Sequence, residues 1–250
     1  MRESASAAKP VGLCLTLWLV AMLAALSMLV APLEIIQPAK LHFVWWQFRL
    51  VALINPVVFI ALASAVGCWA APRVGLDAPL LRALLERRSP GPVLRAQAGP
   101  ALFVGFATAA ILFGYDRLSA PWFAAAPVPD LPLPLVTKLL YGGVVEEVIT
   151  RWGLMSLFVW LAWKLMRSAR PAAGAYWAGA LLAALLFAAG HLPLLFAVMP
   201  HPPAGLVAAV IVGNTLPGLM FGWLYWRRGL EAAMLAHALG HLVFTLVAPG

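Results

Sequence analysis

Hydrophobic residues occur along this chain in long uninterrupted runs. Four stretches carry no charge at all, and three further segments carry only a few charges. These three segments are Gly99–Arg117, Lys138–Trp163 and Leu230–Ala248. About 20 apolar residues in a helix cross the ~30 Å hydrocarbon core of a bilayer. The pattern therefore predicts an all-α, polytopic integral membrane protein with about seven transmembrane helices. The uncharged stretches are Val11–Leu33, Leu50–Ala71, Ala173–Phe196 and Leu206–Trp226.

The basic residues are distributed unequally between the predicted connections. If the N-terminus lies inside, twelve of the 17 lysines and arginines fall on the inner side and four on the outer side, with Arg151 inside a span. Inner loops of membrane proteins carry such an excess of positive charge. We therefore predict an inside N-terminus and a multi-pass protein of the cell inner (plasma) membrane. Val11–Leu33 is about twice as long as the apolar core of a signal peptide, which predicts a retained helix.

Composition supports this class and excludes others. Hydrophobic residues make up 64% of the chain and charged residues 10%, against about 45–50% and about 25% in soluble domains. A disulfide-rich secreted scaffold is excluded because the only two cysteines, Cys14 and Cys68, lie in apolar spans. The net charge of +8 resides in loops rather than on one folded face, so no nucleic-acid partner is expected.

Two connections have a recognisable character. Asp77–Arg88 places leucines on one side and charges on the other, which predicts an amphipathic helix in the inner interface with anionic lipid as a partner; a solvated loop helix is the alternative. Ser119–Val136 contains five prolines and is predicted to be an irregular outer loop. Trp122 and Phe123 are expected at the headgroup level of that loop.

The fourth span contains three charged residues within six positions. Glu147 and Arg151 are four apart and can pair on one face of a helix, whereas Glu146 points about 100° away. Charged groups at membrane depth cost at least about 2.5–3.5 kcal/mol each, so they indicate a functional site. Arg151 can neutralise Glu147, and this leaves Glu146 without compensation. A purely structural ion cluster is the competing interpretation.

Histidines occur in two later spans. His191 follows Phe187 by four positions in the fifth span, and His237 and His241 lie four apart on one face of the seventh. With a rise of ~1.5 Å per residue, these imidazoles and Glu146 reach similar depths in the middle to outer bilayer. We therefore predict one cluster that combines a carboxylate with three imidazoles.

This set of groups suits the activation of water. Glu146 can act as general base with His191 sharing the proton, while the other imidazoles donate to the oxygen that becomes negative during attack on a carbonyl. The same residues could instead bind zinc. The His-Glu-x-x-His signature of metalloproteases is absent from the sequence. Hydrolysis of an amide bond is the predicted reaction class, with the metal requirement left open.

Three ordered motifs resemble one family of membrane enzymes. They are Glu-Glu-x-x-x-Arg at 146–151, Phe-x-x-x-His at 187–191 and His-x-x-x-His at 237–241. Together with the run at 218–238, they are similar to the CAAX prenyl protease and bacteriocin-processing endopeptidases, a group that includes lysostaphin-resistance proteins. The resemblance covers about Lys138–Ala248. The chain is accordingly divided into N-terminal helices in residues 1–137 and a peptidase core in residues 138–250.

The resemblance implies roles for the motif residues. Glu146 and His191 would activate water, and His237 and His241 would line the oxyanion site, although asparagine is common in the family at the position of His241. The remaining motif residues would support the site: Glu147, Arg151 and Phe187. The implied substrate is a peptide bond of a membrane-associated or lipidated protein or peptide, with no cofactor expected and zinc as the alternative.

Two other functions compete with the peptidase. A proton-coupled transporter would use buried charges as a relay, but it is expected to show repeat symmetry or charges in both halves of the chain. Here the buried ionisable residues singled out all follow Lys138. A catalytically inactive scaffold could retain the motifs and bind a membrane partner.

Overall fold

The computed structural model describes residues 10–33, 43–124 and 132–248, and every regular element within these ranges is helical. Short 3₁₀ turns follow the first and third helices. The helices are α1 (Pro10–Ala25), α2 (Trp45–Ala52), α3 (Ile54–Ala70), α4 (Pro79–Leu85), α5 (Gly91–Ala124), α6 (Leu135–Thr137), π1 (Lys138–Glu146), π2 (Val148–Met155), α7 (Ser156–Met166), α8 (Ala173–Gly190), α9 (Leu192–Val198), α10 (Ala204–Arg228) and α11 (Leu230–Val247).

Six helical segments of the described chain are long and apolar enough to cross a membrane, which confirms the all-α, polytopic class. The predicted span Lys138–Trp163 is also helical, from α6 through α7. It is not among the six, because three of its residues, Glu146, Glu147 and Arg151, are charged within six positions. The total of seven spans and the inside N-terminus stay predictions. The six segments are Val11–Val30, Trp45–Val74, Gly91–Ala124, Ala173–Val198, Ala204–Arg228 and Leu230–Val247.

Helix α5 is longer than the sequence pattern indicates. Residues 119–124 are helical despite Pro121, so the prediction of an irregular loop from Ser119 was wrong for this part. Trp122 and Phe123 pack against a small apolar cluster that contains Leu195 and Leu206, and this packing stabilises the last turn of α5. The predicted loop residues 125–131 lie outside the described residues.

Helix α4 is a short version of the predicted interfacial helix. It covers Pro79–Leu85 rather than all of Asp77–Arg88, with Ala83 fully buried and Leu84 53% exposed. The N–H of Leu81 donates to a carboxylate oxygen of Glu231 at 2.8 Å. This hydrogen bond attaches α4 to the first turn of α11, a connection over 150 positions that the sequence analysis missed.

The core forms where small residues let helices approach closely. A Cβ atom added to Gly218 or Gly222 of α10 would lie 2.8 Å from the Cβ of Ala184 or Ala180 of α8. Such small-residue contacts are typical of helix packing in membranes. The contact between α8 and α10 fixes the two helices that carry one wall of the site described below.

A disulfide joins the first and third helices. Cys14 of α1 and Cys68 of α3 are bonded, with their Cα atoms 5.8 Å apart. The sequence analysis placed both residues in apolar spans and assigned them no partner. Helix α3 packs against π2. The disulfide therefore connects α1 to the helix that contacts π2.

Candidate active site

The two acidic residues lie where the two π-helical segments meet. Glu146 is the last residue of π1, and Glu147 connects π1 to π2. π-type turns in helices occur frequently at functional sites. Glycines allow α11 to lie directly against π1: a Cβ on Gly142 would lie 2.9 Å from His241 Nε2, and one on Gly143 would lie 2.8 Å from the Cβ of Ala238. The absence of side chains at these two positions therefore brings the imidazoles of α11 beside the carboxylates.

Glu147 is the buried centre of a hydrogen-bonded cluster. Its side chain is inaccessible to solvent, and its Oε1 atom lies 3.0 Å from Arg151 Nη1 and 2.8 Å from His237 Nδ1. The i,i+4 pair with Arg151 has the geometry that the sequence predicts. The contact with His237 was missed, because nothing in the local sequence relates residues that are 90 positions apart.

Arg151 is also held by groups other than the carboxylate. Its Nη2 donates to the carbonyl of Gly218 at 2.9 Å, and its Nη1 donates to Thr150 Oγ1 at 2.5 Å. The guanidinium is 2% exposed. It therefore connects π2 to α10 while it neutralises Glu147, and Glu146 is left outside this ion pair.

The carboxylate of Glu147 fixes the tautomer of His237. An ionised carboxylate only accepts hydrogen bonds, so His237 Nδ1 must carry the hydrogen in this contact. The other nitrogen, His237 Nε2, lies 3.2 Å from His241 Nε2 and 3.8 Å from Glu146 Oε2. In a hydrogen bond between two imidazole nitrogens one donates and the other accepts. Since the neutral His237 ring carries its hydrogen on Nδ1, its Nε2 accepts and His241 Nε2 donates, at the point where both rings face Glu146.

His191 is oriented by its own helix. It joins α8 to α9 just before Pro193, and its Nδ1 lies 3.0 Å from the carbonyl oxygen of Phe187. A carbonyl oxygen only accepts, so Nδ1 donates and Nε2 keeps its lone pair. The Phe187 ring packs edge-on against the imidazole with a centroid distance of 4.7 Å. His191 can therefore accept a proton through Nε2.

One cavity brings the predicted reactive residues together. It has a volume of about 350 Å³, within the range of small-ligand sites. Its wall contains all four predicted catalytic side chains and the ring of Phe187, while Glu147 and Arg151 support the wall from behind. The four side chains are Glu146, His191, His237 and His241.

Sequence reasoning missed other polar residues of this wall. Lys138, Tyr141, Thr108 and Asn214 line the same cavity. The Nδ2 of Asn214 donates to the carbonyl of Val210 at 2.8 Å. Its place in the wall depends on the packing of α10 against α8, which no local pattern encodes.

The positions of the carboxylate and imidazole groups bear on the alternative of a zinc site. No group of three or more His, Cys, Asp or Glu residues in the described parts of the chain is arranged to hold a metal ion. His237 Nδ1 contacts Glu147, and the Nε2 atoms of His237 and His241 contact each other. The absence of a metal ion from the reaction stays a prediction.

Residues 128–243 match the family described as Rce1-like, type II CAAX prenyl endopeptidase. The matched range contains all three motifs and the four reactive side chains of the cavity wall. This region is similar to the Rce1-like family. The match supports a membrane protease, a hydrolase of the CAAX protease type. Helices α1 to α5 lie before the matched range. Comparison with curated proteins and with solved structures gives no match.

Proposed function

We propose that this protein is an intramembrane endopeptidase in which glutamate and histidine activate water, without a metal ion. The substrate would be a peptide bond of a membrane-associated or lipidated protein or peptide, cleaved in the inner (plasma) membrane. The observation that carries the proposal is the convergence of Glu146, His191, His237 and His241 on one cavity. The protease family of residues 128–243 supports the same reaction class.

The first step is the attack of water on the peptide carbonyl. Glu146 faces the cavity with a side chain that is 21% exposed, so water can reach it and lose a proton to it. His191 Nε2 has a free lone pair and can accept a hydrogen bond from the second hydrogen of that water. A general base must lie within hydrogen-bonding reach of the proton that it removes. Glu146 and His191 line the same cavity, which suits this role.

The second step is stabilisation of the tetrahedral oxyanion and its collapse. The Nε2–H of His241 would donate to the oxyanion instead of to His237 Nε2. Hydrogen-bond donors aimed at a developing negative charge usually make the largest contribution to catalysis. The C–N bond then breaks, and the leaving amine takes back the proton held by Glu146. The products are a carboxylic acid and an amine, which exchange a proton to become a carboxylate and an ammonium ion, and the catalytic residues return to their initial state.

Glu147 and Arg151 would position His237, and through it the donor His241, rather than react. Glu147 holds His237 through Nδ1 at 2.8 Å, and Arg151 pairs with Glu147 at 3.0 Å in a buried site. A similar carboxylate-to-imidazole contact sets ring orientation and tautomer in serine proteases. The two residues are therefore positioning residues.

We also propose that anionic lipid binds at the inner face. The described inner side carries Arg227 and Arg228 at the end of α10, both exposed. Helix α4 lies beside them with Leu84 and Leu85 exposed. Basic and apolar side chains in this arrangement attract lipid headgroups and insert into the interface.

Peptide cleavage in detergent tests the proposed function. The probe is an internally quenched peptide that ends in a farnesylated Cys-aliphatic-aliphatic-X tail, with an unprenylated copy beside it. We expect the purified parent protein to cleave the probe and Glu146→Gln to show no turnover above background. A parent protein that binds the peptide without cleaving it would contradict the proposal and favour the scaffold alternative. Comparison of the two peptides identifies whether the lipid is required.

A further inference from the structure

Thr108 of α5 has an unusual side chain for a buried helical threonine. It is 2% exposed, and its Oγ1 has no hydrogen-bond partner among the described residues. Threonines in helices commonly donate to the carbonyl four positions earlier. Thr16 does so to Gly12 at 2.8 Å, and Thr150 does so to Glu146 at 2.5 Å. The hydroxyl of Thr108 does not make this bond.

Thr108 lies in the wall of the cavity that contains the reactive side chains. The residue lines the cavity, and its methyl group packs against Gly240, where an added Cβ would lie 2.7 Å from Thr108 Cγ2. Gly240 immediately precedes His241 in α11. Thr108 is therefore held at the level of the reactive imidazoles, on the wall that α5 contributes.

A buried hydroxyl without a partner is unfavourable by itself, because it has lost its hydrogen bonds to water. The cavity wall presents acceptors, the Glu146 carboxylate and His191 Nε2, to an entering peptide. The carbonyl oxygens of that peptide need donors, which these two groups do not supply. Two other donors of the wall, Lys138 and Asn214, already bond to Thr245 and Val210. Thr108 belongs to the same wall, and its hydroxyl is an uncharged donor without a partner among the described residues.

We infer that Thr108 is a substrate-binding residue that donates a hydrogen bond to a main-chain carbonyl oxygen of the bound peptide. This inference rests on the proposed peptidase function and extends it to a residue of α5, outside the matched range 128–243. The hydrogen bond would form in the ground state of the complex. It should therefore contribute to binding and leave the chemical step nearly unchanged.

Thr215 provides a matched control within the same protein. It is also buried, at 9% exposure, and its hydroxyl also lacks a partner among the described residues. It lies in α10 next to Asn214, but it is not one of the residues that line the cavity. Thr108→Val and Thr215→Val remove the same group, with almost no change in shape, inside and outside the site.

The experiment measures binding and turnover separately. Binding is measured as the fluorescence anisotropy of a fluorescein-labelled copy of the farnesylated peptide, titrated with proteins that carry Glu146→Gln and therefore do not cleave it. Values of kcat and KM are measured with the quenched peptide and with proteins that retain Glu146. Thr108→Val should raise Kd and KM about 3–10-fold, the worth of one uncharged hydrogen bond. Thr215→Val should change neither value by more than about twofold, and Thr108→Ser should remain near the parent. Both valine variants should melt at or above the parent temperature, since an unpartnered hydroxyl is removed.

The outcomes separate this inference from the proposed reaction. Equal Kd and KM in Thr108→Val and the parent would overturn the inference while the peptidase stands, and so would equal losses in Thr108→Val and Thr215→Val. A peptide that binds in a Thr108-dependent way but is never cleaved would overturn the hydrolysis and leave the inference intact. A Glu146→Gln protein that does not bind the peptide would contradict both.

Discussion

Glu147→Gln is the substitution for which the structure gives the most specific expectation. Oε1 of Glu147 accepts from Arg151 at 3.0 Å and contacts His237 at 2.8 Å, in a site without solvent access. Glutamine preserves the shape and removes the charge. Its carbonyl oxygen can take the place of Oε1 and accept from both donors, but only as a neutral acceptor, and its NH₂ group takes the place of Oε2, which has no partner among the described residues. Arg151, which is 2% exposed, keeps a charge without a counterion.

The loss of stability should be large. Removing one partner of a buried ion pair costs about 3–5 kcal/mol, because the remaining charge stays buried. We expect a value near the lower end, since Arg151 retains its hydrogen bonds to Gly218 and Thr150. About 1 kcal/mol lowers Tm by roughly 2–4 °C in a chain of this size, so the expected decrease is on the order of 10 °C. Activity should also fall, since a neutral amide oxygen holds the Nδ1 hydrogen of His237 less firmly than a carboxylate does, and the ring orientation is then less well fixed.

The assay follows melting of the purified protein in detergent, with Asp116→Asn as the control. Asp116 is an exposed acid of α5, and substitutions at exposed positions usually change stability by no more than about 0.5 kcal/mol. The double variant Glu147→Gln/Arg151→Met removes both charges and should regain part of the lost stability. A Glu147→Gln protein as stable as the parent would refute the buried pair. A double variant less stable than Glu147→Gln alone would show that Arg151 acts through its other hydrogen bonds.

Three further predictions concern the reactive residues. Glu146→Gln should abolish turnover and keep Tm within about 2 °C of the parent, because Glu146 stands outside the ion pair with Arg151; near-normal cleavage by this variant would refute its role as general base. His241→Asn should keep much of the turnover while His241→Ala loses on the order of 10²–10³-fold in kcat with little change in KM, the usual effect of removing one oxyanion donor; equal and complete loss in both variants would favour a proton carrier or a ligand instead. Elemental analysis of active protein should find zinc well below one equivalent, and activity should survive prolonged chelation; stoichiometric zinc that is lost and restored together with activity would refute the metal-free proposal.

The sequence by itself determined the class of the protein and the local part of the site. Uninterrupted apolar runs can be measured against a bilayer of nearly constant thickness, so the spans are evident without any structure. The pairing of Glu147 with Arg151 also follows from the sequence, because residues four apart on a helix are neighbours wherever the helix lies. The helical spacing of His237 and His241 places their rings together for the same reason.

Only the tertiary structure decided which groups meet across helices. The contact of Glu147 with His237 depends on how closely π1 and α11 approach, which the missing side chains of Gly142 and Gly143 set over some 90 positions of chain. The length of α5 depends on the packing of Trp122 against another part of the chain. A local pattern fixes the face of a helix on which a residue lies. The side chains that this face contacts are decided by packing between distant segments. For this reason no local pattern in the sequence marks Thr108 as a residue of the cavity wall.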